Sequence, residues 1–417
     1  MTDDTYVIIG ASLAGATVAE TLREEGFAGR VVLIGEESEL PYERPPLSKG
    51  YLLGNDPRDG GRVHDASWYA EHNVELRLGT VAEVIDSARR LVTLHPSDSL
   101  QYDKLVLATG SRVRTLTIPG TDLTGVHYLR TLDQADALLE GLRAGGNVVV
   151  VGAGWIGLET AAAARHLGCS VTVVEMDSLP LRRVLGDEVA TIYRDLHLAH
   201  GVDFRLGAGL SEFQGEDGHV TGVLLADGTV LPADLVVVGV GIRPAVELAE
   251  SAGLRVDNGI VADARLRTSD EHIWACGDVV SWFHPLLNTH LRVEHWANAL
   301  NGGPAAARSM LGKGEDYSPV PYFFSDQYDL GMEYAGWVTP GEYDAVVFRG
   351  DPNATGDGAP EFIAFWVAGG RVLAGMNANV WDVTDQIQDL VRAGWAGRSV
   401  DLTALADPTV PLDQLLG

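Results

Sequence analysis

Two stretches of this chain end a β-branched run in closely spaced glycines, a pattern suited to holding phosphate. The first is Val7-Ile8-Ile9-Gly10-Ala11-Ser12-Leu13-Ala14-Gly15. The second, 142 residues on, is Val149-Val150-Val151-Gly152-Ala153-Gly154-Trp155-Ile156-Gly157. A strand that turns tightly into a helix offers an anion free backbone N–H groups and the positive end of the helix dipole. The first glycine permits the turn, the second lets the backbone approach a pyrophosphate, and the third lets helix and strand pack closely. Gly152, Gly154 and Gly157 meet that pattern in full. Gly10, Ser12 and Gly15 meet it with one departure, a serine whose Cβ is small and whose hydroxyl adds a contact. An acid follows each copy at the distance at which a carboxylate meets a ribose: Glu36 and Glu175. Glu175 would bond ribose hydroxyls and repel a 2′-phosphate, which favours NADH over NADPH. Arg182-Arg183 pulls the other way, since the pair reads either as a phosphate contact or as the border of the 175–185 loop. Two dinucleotides in one chain imply electron transfer between them.

Other residue groups have two readings each. Pro41-Tyr42-Glu43-Arg44-Pro45-Pro46-Leu47-Ser48-Lys49 is a rigid, proline-paced segment with two cations. It is equally a surface loop or a device that sets Lys49 beside a redox ring, where a cation stabilises an anionic reduced flavin. Gly277-Asp278 reads as a strand-to-helix turn whose Asp is an N-cap or a ligand for a ribityl hydroxyl. Glu294-His295-Trp296-Ala297-Asn298-Ala299 opens the next helix, with Trp296 either in the core or on a ring edge. Cys169 and Cys276 have no partner cysteine nearby and read as buried small hydrophobes. The twelve histidines show no metal-ligand spacing; His197 and His200 share a helix without a further ligand.

The elements needed to hold these residues are readable. The first fingerprint leads into a helix from about Leu13 to Glu25 and a strand from Arg30 to Glu36. The second leads to a strand, Ser170–Val174, that ends at Glu175. A further repeat joins Asp103-Lys104-Leu105-Val106-Leu107-Ala108-Thr109-Gly110-Ser111-Arg112 to Asp234–Arg243, in which Gly110 and Gly241 correspond at a spacing of 131 residues. Duplication of a whole nucleotide-binding domain accounts for both repeats. Trp274–Asp278 then returns the chain to the first domain. Beyond Lys313-Gly314 the pattern changes to alternating strands at 343–348, 362–367 and 371–376 and a helix at 384–392, an α+β domain. The expected division is 1–114 with 246–318, 115–245, and 319–417.

Composition bounds the rest. The 417 residues are 46% hydrophobic, and 30 basic against 58 acidic residues give a net charge of −28. Such a surface repels nucleic acid and anionic lipid. The acidity is strongest beyond residue 313, where 16 carboxylates face 4 arginines and no lysine; it reads as solubility rather than docking. No basic segment precedes an apolar N-terminal run and no apolar run approaches ~18 residues. A cytoplasmic protein with reduced thiols is expected.

Taken together, Gly10–Gly15, Pro41–Lys49, Ala108-Thr109-Gly110, Tyr128-Leu129-Arg130-Thr131, Gly152–Glu159, Cys276-Gly277-Asp278, Glu294–Asn298 and Phe324-Ser325-Asp326-Gln327-Tyr328-Asp329 resemble the FAD-dependent NAD(P)H:ferredoxin reductases. These serve bacterial cytochrome P450 and aromatic-ring dioxygenase systems. The resemblance covers essentially the whole chain. It implies an α/β fold with two Rossmann-like dinucleotide-binding domains, for FAD and NAD, plus a C-terminal α+β reductase domain. FAD is then expected along Gly10, Ser12, Leu13, Ala14 and Gly15, with Glu36 on the ribose and Ala82 on the adenine side. Ala108, Thr109 and Gly110 line the same cofactor, with Arg44, Arg130, Gly277, Asp278, Glu294, His295 and Trp296. NADH is expected on Gly152, Gly154, Ile156, Gly157, Glu159, Glu175, Arg183 and Gly241. Lys49 and Glu159 are the expected catalytic pair, at the flavin ring and near the carboxamide.

The resemblance further implies hydride transfer from NADH to FAD and release of single electrons to a [2Fe–2S] ferredoxin, by a monomer or weak homodimer. Disulfide reductases of the wider superfamily carry paired cysteines where this chain has Pro41–Lys49, so its electrons must go to an external acceptor. An acidic ferredoxin would need a local basic patch, for which Arg44, Arg58, Arg62, Arg292 and Arg308 are the candidates. NADH oxidase, rubredoxin or quinone reductase, and a redox sensor resembling apoptosis-inducing factor are the alternative readings.

Overall fold

Strand Thr5–Ile9 buries every residue but its first, as a central strand covered on both faces must. In the computed structural model, which describes residues 4–96, 98–354 and 360–416, this strand and its counterpart Asn147–Val151 centre two separate parallel sheets. The chain divides into two compact units. One comprises Met1–Arg44, Asp59–Arg112 and Arg243–Pro321; the other comprises Pro45–Arg58, Val113–Ile242 and Tyr322–Gly417.

In the first unit the sheet order is Ile273–Ala275, Lys104–Leu107, Thr5–Ile9, Arg30–Ile34, Val74–Arg77, all parallel. Helix Leu13–Glu24 follows the glycine turn and buries Ala14, Ala16 and Ala19. It lies so close to helix Trp296–Met310 that a Cβ on Gly303 would come within 2.1 Å of Thr17 Oγ1. The unit also holds two three-stranded sheets: Val81–Asp86, Leu91–His95 and Asp98–Gln101, all antiparallel, and Ile260–Ala262, Val280–His284 and Thr289–Leu291.

In the second unit the parallel order is Asp203–Leu206, Ser170–Glu175, Asn147–Val151, Leu235–Val238, Val126–His127. Read in reverse, the order repeats that of the first sheet, but the edge strand beside Leu235–Val238 or Lys104–Leu107 comes from opposite directions of the sequence: Val126–His127 precedes its fingerprint, whereas Ile273–Ala275 follows its own. The same unit holds a five-stranded antiparallel sheet, ordered Tyr322–Gln327, Leu330–Gly336, Arg371–Ala378, Phe362–Ala368, Ala345–Gly350. Helix Thr384–Trp395 packs on it through Ile387 at Gly375. One hydrophobic core runs from Val148, Val150 and Leu185 to Phe323, Tyr334 and Trp366, and Trp366 Nε1–H donates to the Leu185 carbonyl at 3.1 Å. That shared core joins the C-terminal sheet to the second nucleotide-type sheet.

Several elements differ from expectation. Gly277-Asp278 opens a single 3-10 turn, Gly277–Val279, and then strand Val280–His284, so Asp278 caps no helix. The following helix begins at Trp296, with His295 in the capping position, rather than at Glu294. The antiparallel pair Tyr322–Gln327 and Leu330–Gly336 lies where no strand was expected, because Ser325, Asp326 and Gln327 break the apolar alternation. Among the described residues no helix is long and apolar enough to cross a membrane.

Candidate functional site

The two glycine turns are built alike. Gly10 N–H donates to the Ile34 carbonyl and Gly152 N–H to the Val174 carbonyl, both at 2.8 Å. At φ +118° Gly10 sits where a Cβ would be 2.1 Å from the Ala108 carbonyl oxygen; at φ +99° Gly152 sits where one would be 2.5 Å from that of Gly239. A Cβ on Gly15 would lie 1.9 Å from the Gly10 oxygen, and on Gly157 2.1 Å from the Gly152 oxygen. These four glycines are therefore demanded by the protein's own backbone. Gly154 is not: its φ of −79° suits any residue, and a Cβ there would meet nothing within 4 Å. In the first copy Ser12 fills the same position and gives its hydroxyl to the Tyr42 carbonyl at 3.1 Å.

Neither fingerprint helix has a side-chain cap, whereas helix Leu132–Ala144, just after Arg130, carries a full capping box of Thr131 and Gln134. Uncapped N–H groups at a helix start, with open space at Gly154 where a Cβ would stand, suit a pyrophosphate. In the second helix Ile156, two residues after Gly154, leaves 44% of its surface exposed.

The acids behave differently in the two copies. Glu175 accepts from Ala153 N–H at 2.7 Å and Asp177 N–H at 2.9 Å, which holds its carboxylate against the glycine turn. Glu36 is exposed and pairs with Arg112 at 3.1 Å. Arg183 pairs with Asp177 at 2.7 Å and Arg182 with Asp187 at 2.6 Å. Both pairs line a cavity of about 370 Å³ with Gly186, Glu188, Pro340 and Tyr343, where three carboxylates face two guanidinium groups.

Of the residues expected along FAD, all but Arg130 belong to the first unit; Arg130 belongs to the second. A Cβ on Gly277, at φ +74°, would lie 3.1 Å from the Ala14 side chain, so Asp278 stands at the fingerprint helix. Arg44 lies over the Tyr42 ring at 5.2 Å and pairs with Glu37 at 2.8 Å. Burial opposes its charge, but Tyr42, Glu37 and Asp278 together raise its pKa. Trp296 Nε1–H donates to Glu43 at 2.9 Å, which fixes the indole against the proline segment. Thr109 Oγ1 donates to the Ala245 carbonyl at 2.8 Å, and Ala245 N–H returns a bond to Gly110. Ala82 is the second residue of strand Val81–Asp86, two after Thr80, whose N–H is bonded to the Gly35 carbonyl. In the second unit Gly241, at φ +100°, accepts from Arg114 N–H at 2.9 Å and is open on its Cβ side apart from the Arg114 side chain.

The second unit also contains a buried charged cluster. Lys49 Nζ lies 2.8 Å from Glu159 Oε1, with side chains 15% and 2% exposed. Ser325 Oγ donates to the same oxygen at 2.7 Å and Ser48 Oγ to the other. Lys49 lies 5.4 Å from the centre of the Phe324 ring. Burial pushes the nearby Asp326 carboxyl above its ordinary range; Lys49 opposes the shift, and Glu159 and Glu333 add to it. Ser48 and Ser325 had no role in the sequence reading. The only signal was adjacency, Ser48 to Lys49 and Ser325 within Phe324–Asp329.

The five arginines expected as a basic patch are each already paired with an acid. Arg58 belongs to the second unit and the other four to the first. Each faces a carboxylate: Arg44 with Glu37, Arg58 with Asp133 and Asp136, Arg62 with Asp59, Arg292 with Glu294 and Arg308 with Glu25.

Comparison with known proteins agrees with this architecture. Residues 4–303 match the pyridine nucleotide-disulphide oxidoreductase family, and residues 322–416 match the reductase C-terminal family. The ferredoxin–NAD(+) reductase component of the anthranilate 1,2-dioxygenase system of Burkholderia cepacia is 41% identical over 417 residues, the full length of both chains. Putidaredoxin reductase of Pseudomonas putida is 36% identical over 99% of this chain and 97% of its own. The solved covalent complex of putidaredoxin reductase with putidaredoxin has a chain that superposes with a TM-score of 0.93 at 36% identity, over 100% of this chain and 98% of that one. With two parallel five-stranded sheets, two glycine turns and a C-terminal antiparallel sheet, this chain belongs to the pyridine nucleotide-disulphide oxidoreductase family and carries in addition a domain of the reductase C-terminal family.

Proposed function

We propose that this chain is an NADH-dependent flavoprotein reductase that passes electrons through FAD to a [2Fe–2S] ferredoxin, which feeds a cytochrome P450 or a ring-hydroxylating dioxygenase. The observation that carries the external acceptor is the state of the two cysteines. Cys169 lies in the second unit and Cys276 in the first, and both are fully buried. Burial raises both thiols, Cys276 to about 12, so neither is a ready thiolate. In a family named for disulphide chemistry, this member has no thiol to take electrons from a flavin. The relatives named as ferredoxin reductases support a ferredoxin in that role.

When bound, FAD supplies two-electron uptake from NADH and one-electron release, and the protein supplies position, charge and exclusion of water. In this reading residues 1–114 and 246–318 hold FAD, residues 115–245 hold NADH, and residues 319–417 form the reductase domain. Gly10, Ser12, Leu13, Ala14 and Gly15 cradle the FAD pyrophosphate, with Glu36 on the ribose and Asp278 on the ribityl chain. Gly152, Gly154, Ile156 and Gly157 do the same for NADH, with Glu175 on its ribose hydroxyls. The cavity beyond Glu175, with its excess of carboxylate, disfavours a 2′-phosphate and supports NADH. Lys49, anchored by Glu159, is the cation that stabilises the reduced flavin.

The test is direct. The purified chain should carry a flavin spectrum that NADH bleaches under anaerobic conditions. A [2Fe–2S] ferredoxin should then support rapid cytochrome c reduction, while rubredoxin, a quinone and oxygen turn over slowly. Rapid oxygen consumption without a carrier would make the protein an oxidase, and absence of bound flavin would overturn the assignment altogether.

A further inference from the structure

Strand Tyr322–Gln327 turns Phe323, Ser325 and Gln327 to its buried side, and two of those three are polar. A buried serine and glutamine on a face otherwise given to Phe323 are costly unless every donor and acceptor is matched. Here they are matched in series. Ser325 Oγ lies 2.7 Å from Glu159 Oε1, Gln327 Nε2 lies 3.1 Å from Ser325 Oγ, and His197 Nε2 lies 2.8 Å from Gln327 Oε1. Tyr328 Oη stands 3.3 Å from His197 Nδ1, and His200 stacks on the Tyr328 ring at 3.7 Å. Glu159, Ser325, Gln327 and His197 are all between 0% and 3% exposed.

The direction of this series follows from its end. An ionised carboxylate only accepts, so Ser325 must donate its single proton to Glu159 and accept from Gln327. The Gln327 amide then presents its oxygen to His197, which must carry its proton on Nε2 and offer Nδ1 to the Tyr328 hydroxyl. Every bond points towards Glu159, an arrangement in which each polarises the next. It requires neutral His197, and burial, which holds that imidazole far below its usual pKa, keeps it neutral.

We propose that Ser325, Gln327 and His197 are positioning residues: a one-way hydrogen-bond relay that holds the Glu159 carboxylate in place and, through it, aims Lys49. This rests on the reading of Lys49 as the cation at the flavin, and adds the residues that set its position. The three act through Glu159 and need no contact with a cofactor. Without Ser325, Glu159 Oε1 retains only Lys49, and the carboxylate is free to turn about its remaining bond to Ser48.

The experiment is a double-mutant cycle on the flavin-loaded protein, with two readouts: the rate of flavin reduction by NADH in anaerobic stopped flow, and the midpoint potential of the bound flavin. Ser325→Ala should slow reduction about tenfold, the scale of one lost bond to a charged group. It should also move the potential in the same direction as Lys49→Met. Ser325→Thr, which keeps the hydroxyl, should restore both. Gln327→Met, close in shape, should produce a smaller change of the same sign. In the Lys49→Met background both Ser325→Ala and Gln327→Met should change rate and potential by less than about twofold-equivalent, because nothing remains to be aimed. The relay is overturned if Ser325→Ala leaves rate and potential at the wild-type values, or costs the same factor with and without Lys49. Should Ser325→Ala lose its flavin, Gln327→Met decides by the same criteria. A wild-type chain that binds flavin but is not reduced by NADH would defeat the functional reading instead, and the relay with it.

Discussion

The three glycines of the second fingerprint should respond to alanine in two different ways. Gly152 and Gly157 are required by the fold. A Cβ on Gly157 would sit 2.1 Å from a carbonyl oxygen, and one on Gly152 would sit 2.5 Å from another in a backbone conformation that disfavours alanine. No flexible side-chain end can yield in either case, so the backbone must shift, at about 3 kcal/mol or more. Gly154 has ordinary φ and open space around its missing Cβ. There, alanine loses about 0.5–1 kcal/mol as an N-cap and recovers about 0.4–1 kcal/mol from the stiffer unfolded chain. Stability should stay within about 0.5 kcal/mol of wild type, a melting shift of about 2 °C or less. What Gly154→Ala obstructs is the ligand: an added methyl against a closely held pyrophosphate costs about 1–3 kcal/mol, roughly a 5- to 150-fold rise in the NADH dissociation constant. The assay pairs a thermal melt with an NADH titration for Gly152→Ala, Gly154→Ala and Gly157→Ala. A Gly154→Ala melt as depressed as that of Gly157→Ala would refute the reasoning, as would undiminished NADH affinity. Gly154→Ser gives a further check, because Ser12 already occupies that position in the first copy and the helix tolerates it.

Further expectations follow from the charged groups. Glu159→Gln leaves Lys49 opposite a neutral amide; because Lys49 is still partly exposed and Asp326 is near, the loss should fall at the low end for a broken buried pair, about 3 kcal/mol by urea unfolding, and Lys49→Met in the same chain should recover part of it. Burial brings His197 down to about 4, so the unfolded chain takes a proton near pH 6.5 that the folded chain refuses: stability is full above about pH 6.5 and falls by about 3 kcal/mol on the way to pH 4. Melting curves of His197→Gln should be flatter over that window than those of wild type, and an equal slope would remove His197 as its source. Asp177→Asn with Asp187→Asn unpairs Arg183 and Arg182 and leaves two guanidinium groups facing only Glu188. The ratio of kcat/KM for NADPH to that for NADH should rise about tenfold, and an unchanged ratio would show that this cavity does not read the 2′ position.

What the sequence shows clearly is what repeats. Gly15 and Gly157 are dictated by the turn's own backbone, Gly10 and Gly152 by their positive φ and by the Ala108 and Gly239 carbonyls of a neighbouring segment, and the repeat in spacing, with Glu36 and Glu175 following, marks both turns in the sequence. The buried cluster was half visible for the opposite reason. Lys49 and Glu159 stand out as charges, but Ser48, Ser325, Gln327 and His197 are ordinary residues from separate segments whose meaning arises only when strand Tyr322–Gln327 meets the helix bearing Glu159. The interrupted alternation of Phe323, Ser325 and Gln327, which hid that strand, is itself the trace of the relay: polar residues stand where a core strand would carry apolar ones. The arginines illustrate the same point. Sequence lists cations, whereas Arg44, Arg58, Arg62, Arg292 and Arg308 acquire their effective charge from the carboxylates the fold sets beside them. With those cations already paired, their attraction for an acidic carrier is reduced, and the net charge of −28 repels it. The rate of ferredoxin reduction should then hold or rise as salt screens the like charges, rather than fall.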